Sequence, residues 1–255
     1  MQKSVPALIL QLTILFLYKQ NVGINGATVN QNATQAILVT DTYLQRDAYF
    51  TPEDYLIYFD PSATDKPGQH IQQQHGSVTL FQLPFVPGLL NTELGSIRLQ
   101  LKKCAIRQPL TFRSDAITYV LEGHVRIGFV VQTRGKLIEN ILSSGMGMII
   151  PKGALSYIEN LNCTSASVLS TLNSNDFGVS LLPSLFLYTL PEHITRAAFG
   201  GITGAEYQKM KKTIIDNQVF SVNPQCLQAL VRASYRASLE PEEWYQIILG
   251  DLEIA

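Results

Sequence analysis

Residues 145–160 read GMGMIIPKGALSYIEN. The first seven residues are strand-sized, and Gly145 suits a tight turn ahead of them. Pro151 presets the backbone for entry into a turn, Pro151-Lys152-Gly153. The same grammar repeats outward in both directions. SVTLFQL (77–83), GSIRLQLKK (95–103), AITYVLEG (116–123), VRIGFVVQ (125–132), KLIENILS (136–143) and SVLSTLNS (167–174) are all strand-sized. Gly, Pro, Asn or Ser punctuates them at short intervals. Ile97, Leu99 and Leu101 alternate with polar residues, as a half-buried strand requires. Many short strands with close turn signals predict an all-β sandwich or barrel.

The flanks read differently. Residues 27–49 form an arm with some strand character (AILVT), and Thr51 to Gln74 is polar and Pro-rich, mainly loop. Beyond residue 200 the period becomes helical. Thr203-Gly204-Ala205-Glu206 is a capping box opening a helix that runs to about Asp216. Asn223-Pro224 is a second helix start, with Asn as cap and Pro in the first turn. Leu227, Leu230, Val231 and Tyr235 then fall on one apolar face, and Pro241 leads into a third short helix carrying Trp244, Ile247, Ile248 and Leu252. The expected organisation is a signal peptide (1–26), an arm and loop (27–76), a β-barrel (77–200) and a helical C-terminal segment (201–255).

Lys3 followed by the apolar run Val5 to Tyr18 reads as a secretory signal, too short to span a membrane, with cleavage between Gln20 and Ala27. No later stretch has spanning length, so no membrane span is expected after cleavage. Secretion gives meaning to two sequons, at Asn32 and Asn162, as glycan acceptors. Of the three cysteines, Cys104, Cys163 and Cys226, an oxidising compartment permits one pair; which two pair stays open. The formal net charge is −1 and there is no run of Lys or Arg, which argues against a nucleic-acid partner.

Two stretches resemble the paired motifs of germin-like proteins in the cupin superfamily. Gly145, Pro151, Gly153 and Asn160 fall at the spacings of the second motif, with Ser156 where the family has His. Gly123 closes the first motif; counting back puts Ala116 at the Glu position, and Thr111 and Pro109 at the two His positions. The likeness extends to VPGLLNTELGSIRLQL (86–101), STLNSNDFGVSLLPSLF (170–186) and LPEHITRAAFGG (190–201). The resemblance implies a double-stranded β-barrel, the cupin jelly roll, followed by C-terminal α-helices. It also implies oligomers, and a metal, usually manganese, held by three His and one Glu.

At those four positions this chain offers Pro109, Thr111, Ala116 and Ser156. Pro and Ala side chains cannot coordinate, and neutral hydroxyls are poor substitutes for imidazole. No metal cofactor is therefore expected, and manganese only if this reading of lost ligands fails. Four histidines exist: His70 and His75 in the polar loop, His124 at a strand start and His193 before the helices. Asp115, Glu122 and Glu139 lie near the aligned region as lone carboxylates. No nucleophile motif, phosphate loop or dinucleotide fingerprint occurs. The reading is a secreted, extracellular, non-catalytic cupin that acts by assembly as a homo-oligomer. The alternatives are a binder of a small ligand or saccharide, with Thr111, Ala116, Ser156 and His124 as pocket residues, and a manganese-dependent oxidase or dismutase with unexpected ligands.

Overall fold

The computed structural model describes residues 50–60, 62–90 and 92–228. The expected signal peptide, the Asn32 sequon, the apolar positions from Leu230 onward and the third C-terminal helix lie outside them. Twelve strands are present among the described residues. They are β1 (Gln69–Gln73), β2 (Gly76–Phe81), β3 (Gly95–Leu101), β4 (Ala105–Phe112), β5 (Ala116–Glu122) and β6 (His124–Val130). After them come β7 (Ile138–Ser143), β8 (Gly147–Ile150), β9 (Leu155–Asn160), β10 (Ala166–Leu172), β11 (Val179–Leu181) and β12 (Phe220–Val222). One sheet has the order β1-β2-β3-β10-β5-β8; the other runs β11-β4-β9-β6-β7, with β12 also paired to β4. Helices are few: a short helical stretch covers 182–189, α1 (Glu192–Ala198) and α2 (Gly204–Thr213) lie between β11 and β12, and a turn of helix covers 224–228. This is the expected all-β jelly roll with helices toward its C-terminal end.

Two compact units can be distinguished. Residues 50–72, 77–98 and 171–177 belong to the first. Its core is Phe81, Val86 and Leu89, packed with Ile57 and Phe85, and Phe59 meets Phe81 edge-on at 5.2 Å between ring centres. Thr51–Gln74 is mainly loop and turn, as expected, with two short elements inside it. Pro52–Tyr55 is a 3-10 turn, its ends tied by Thr51 and Asp54, and β1 begins at Gln69.

Residues 73–76, 99–170 and 178–228 belong to the second unit. Here β4, β9 and β6 are consecutive neighbours, and β5 pairs with β8. Gly123 turns β5 into β6 with φ +86°, and a Cβ there would meet Ala166 Cβ at 2.9 Å, so glycine is required twice over. Gly153 has φ +75° inside the turn closed by Ala154 N–H to Pro151 O at 3.1 Å, which is the turn read from the Pro-Lys-Gly sequence.

The capping box of α2 forms as expected: Thr203 N–H donates to Glu206 at 2.7 Å, and Glu206 N–H donates to Thr203 Oγ1 at 3.3 Å. The helix ends at Thr213, a few residues before the expected Asp216. Asn223 caps the last described turn of helix by accepting from Gln225 N–H and Cys226 N–H. The segment before it, expected to be helical, also contains strand β12. Cys226 is bonded to Cys104, and Cys163 is an exposed free thiol.

Candidate functional site

The site positions read from the sequence sit on four strands of the second unit, and strand register decides which way each side chain faces. Residues directly opposite across a strand pair share a face. Ser156 on β9 lies opposite Leu110 on β4 and Phe129 on β6; Ile158 lies opposite Arg107 and Ile127. Ser156, Ile158, Leu110, Ile127 and Phe129 are all buried, so this is the inward face of the sheet. A bulge between Arg107 and Leu110 puts both on it, although they are three residues apart.

Phe112, also buried, follows Leu110 at strand spacing. Pro109 and Thr111 occupy the alternate positions, the first exposed and the second half-buried and opposite Ser180 of β11. The two residues counted back to the His positions therefore face away from Ser156. The inward positions of this stretch belong to Leu110 and Phe112.

Ala116 is 2% exposed, on β5 opposite Ile150. His124 is exposed at the start of β6 and lies 3.4 Å from the Asn162 amide nitrogen. It does not join Ser156, so the four candidate pocket residues are not brought to one face. His70 is held by Lys66 O and Thr79 Oγ1, both at 3.1 Å. Because a carbonyl only accepts, its Nε2–H donates to Lys66 O. His75 lies in the turn after β1, and His193 is exposed in α1. Asp115 accepts from Lys152 N–H, and Glu139 accepts from the Tyr157 hydroxyl. Among the described residues no three His, Cys, Asp or Glu side chains are grouped as a metal would need.

The inward face also carries a residue that the sequence reading passed over. Arg107 is 2% exposed, and its Nη2 donates to Ser156 Oγ at 3.0 Å. Its Nε and Nη1 have no hydrogen-bond partner. Burial pushes the guanidinium down to about 9, so it remains charged at neutral pH. Each unmet buried donor costs about 1–3 kcal/mol, and more when the group is charged. A manganese ion does not fit this set. Leu110, Phe112 and Ala116 have no lone pairs to give, Ser156 offers a neutral hydroxyl, and Arg107 is itself a cation.

Asn160, the last motif residue, has a structural task. Its amide nitrogen donates to Leu101 O, Lys102 O and Thr164 O at 2.8–3.2 Å, and its Oδ1 accepts from Asn162 N–H. It staples the end of β3 to the loop after β9. The outward face of the same sheet carries Glu159, which accepts from Arg126 Nη1 at 2.8 Å and from the Asn223 side chain. Glu139 lies 3.5 Å from Arg126 Nε, and the Tyr157 ring covers Gly128, where a Cβ would meet it at 2.5 Å.

Comparison with known proteins agrees with this geometry. The profile of the family described as Cupin matches residues 62–208. A germin-like protein of subfamily 2 (member 3) from Arabidopsis thaliana is 32% identical over 64% of this chain and 74% of its own length. Spherulin-1A of Physarum polycephalum is 30% identical over 37% of this chain, and that match spans 38% of the spherulin. Among solved structures, a mutant of Bacillus subtilis oxalate decarboxylase superposes with a TM-score of 0.53 at 14% identity. It covers 61% of this chain and 39% of its own, a likeness of fold. With the two motif glycines, the Pro-Lys-Gly turn and the Asn160 staple all in place, the chain is a member of the cupin family, on its germin-like side.

Proposed function

We propose that this cupin is a secreted, non-catalytic protein that acts by self-assembly. The observation that carries the reading is the outer face of β5 and β8. Ile117 and Ile149 lie opposite each other there, 59% and 67% exposed, with Tyr119 two residues further along the same face. Met146, in the turn before β8, is exposed as well. An exposed apolar cluster on a sheet margin favours burial against another protein surface. Among the described residues β8 ends its sheet, and none of them pairs with its outer edge. The occupant is a second copy of this chain, related by a two-fold axis that sets the same edge and the same isoleucines against each other. Secretion is supported by the apolar N-terminal run and by the Cys104–Cys226 bridge, a kind of bond that persists in oxidising compartments. The non-catalytic reading rests on the inward donor set, which suits no hard divalent cation.

Two measurements test it. Sedimentation velocity of the protein purified from culture medium should show a dimer or a larger even assembly. The pair Ile117→Asp and Ile149→Asp should weaken association by at least about 100-fold, because each exposed isoleucine contributes roughly 1.5–3 kcal/mol when buried. A wild-type monomer at tens of micromolar overturns the assembly reading. Plasma mass spectrometry of protein grown with manganese should find substoichiometric metal; one manganese per chain surviving dialysis overturns the non-catalytic reading.

A further inference from the structure

Assembly on the outer face makes no use of Arg107. The guanidinium lies on the opposite, inward side of the second unit, where every neighbour named by register is apolar except Ser156. It is 2% exposed, makes one hydrogen bond, and leaves Nε and Nη1 unpartnered. None of the ion pairs among the described residues includes it. The closest acidic residue in register, Glu159, sits on the other face and is committed to Arg126 and Asn223. A buried cation without a counter-charge is a strong attractor for an anion, and a planar guanidinium matches oxyanion geometry best.

We propose that Arg107, with Ser156 holding one of its nitrogens, is an internal binding site for a small oxyanion. The anion supplies the acceptors that Nε and Nη1 lack. Ser156 orients the guanidinium so that these donors stay available. The apolar surroundings, Leu110, Ile127, Phe129 and Ile158, strengthen the attraction by keeping the local dielectric low. The site needs no metal, because the protein provides the positive charge itself. The candidates are a small carboxylate and an inorganic oxyanion, whose oxygens match the spacing of guanidinium donors.

The test uses the full secreted protein, dialysed into a zwitterionic buffer and titrated at constant ionic strength with sodium formate, sodium acetate or sodium phosphate. The expected result is a saturable rise in Tm, about 3–5 °C at ten times Kd, with at least one of them. A response to formate or acetate alone assigns the site to carboxylates; a response to phosphate alone assigns it to inorganic oxyanions. Arg107→Met should abolish the response, and Arg107→Lys should weaken it by about tenfold or more. If Arg107→Met does not fold, calorimetric titration of the wild type and Arg107→Lys with the same salts decides the matter. No saturable response of the wild type to any of the three overturns the proposal. So does an equal response in wild type and the Arg107 variants. Neither result depends on the state of assembly, so this site and the self-assembly reading stand or fall separately.

Discussion

Arg107 and Arg126 lie on opposite faces of the same sheet, one row of register apart. Arg126 is opposite Glu159, and Arg107 is opposite Ile158. The outward arginine has Glu159 at 2.8 Å and Glu139 at 3.5 Å; the inward one has a single serine hydroxyl. The outward guanidinium also keeps part of its surface in water, where a charge costs little. The inward one has given up water and received almost nothing in return. Arg126 also leaves its Nε without a hydrogen bond, but two carboxylates balance its charge. A charge left unsatisfied by a fold that could have used leucine points to something the fold binds.

The largest test breaks the outward side at its anchor. Cys226→Ser should cost about 3–5 kcal/mol in urea denaturation, because the bridge to Cys104 closes a span of 122 residues and fixes the helix start that Asn223 caps. Next, Glu159→Gln removes the carboxylate shared by Arg126 and Asn223 and should cost about 1.5–3 kcal/mol in the same assay. The sharpest contrast comes from the arginines themselves. In buffer free of oxyanions, Arg107→Met should stabilise by about 1–3 kcal/mol by removing a buried, underbonded charge. Arg126→Met should destabilise by about 1–3 kcal/mol, because it leaves the buried Glu159 carboxylate without its cation. Opposite signs sustain the comparison, and equal signs break it.

The smallest effect concerns pH. Burial, and then the hydrogen bond to Glu139, push the Tyr157 phenol up to about 12. The folded protein therefore holds this proton more tightly than the unfolded chain, where a phenol ionises near ~10. The contribution is complete below pH ~10 and is lost as pH rises through about 12. Relative to wild type, Tyr157→Phe should lose less stability across that window, measured by denaturation at pH 9, 10.5 and 12.

Much of the fold was legible because glycine, proline and asparagine stand where the backbone has no alternative. Gly123, the Pro151–Gly153 turn, the Thr203–Glu206 box and the Asn223 cap all form as read. Two of the strands that were missed share one cause. β4 and β9 carry Arg107, Gln108, Ser156, Glu159 and Asn160 as buried residues, so their composition imitates loop while their register makes them the middle of a sheet. The same strands hold the candidate site, and its least legible feature was facing. Counting back from Gly123 assigned Pro109 and Thr111 to the interior, whereas the pairing of Leu110 with Ser156 turns Leu110 and Phe112 inward, and the bulge after Arg107 brings that residue to the same face. A spacing count fixes positions along the chain and leaves the facing of each side chain to the strand pairing. Arg107 was passed over because an arginine in sequence reads as surface, and only burial shows otherwise.

The bridge between Cys104 and Cys226 also makes a covalent ring of strands β4 to β12 and the helices between β11 and β12. A protease that cuts once anywhere inside the ring leaves the two pieces joined. On a non-reducing gel such a nicked molecule migrates near the intact chain, and two fragments separate only after reduction. A protein released into a protease-rich setting could thus be cut in an exposed loop and still keep both halves in place.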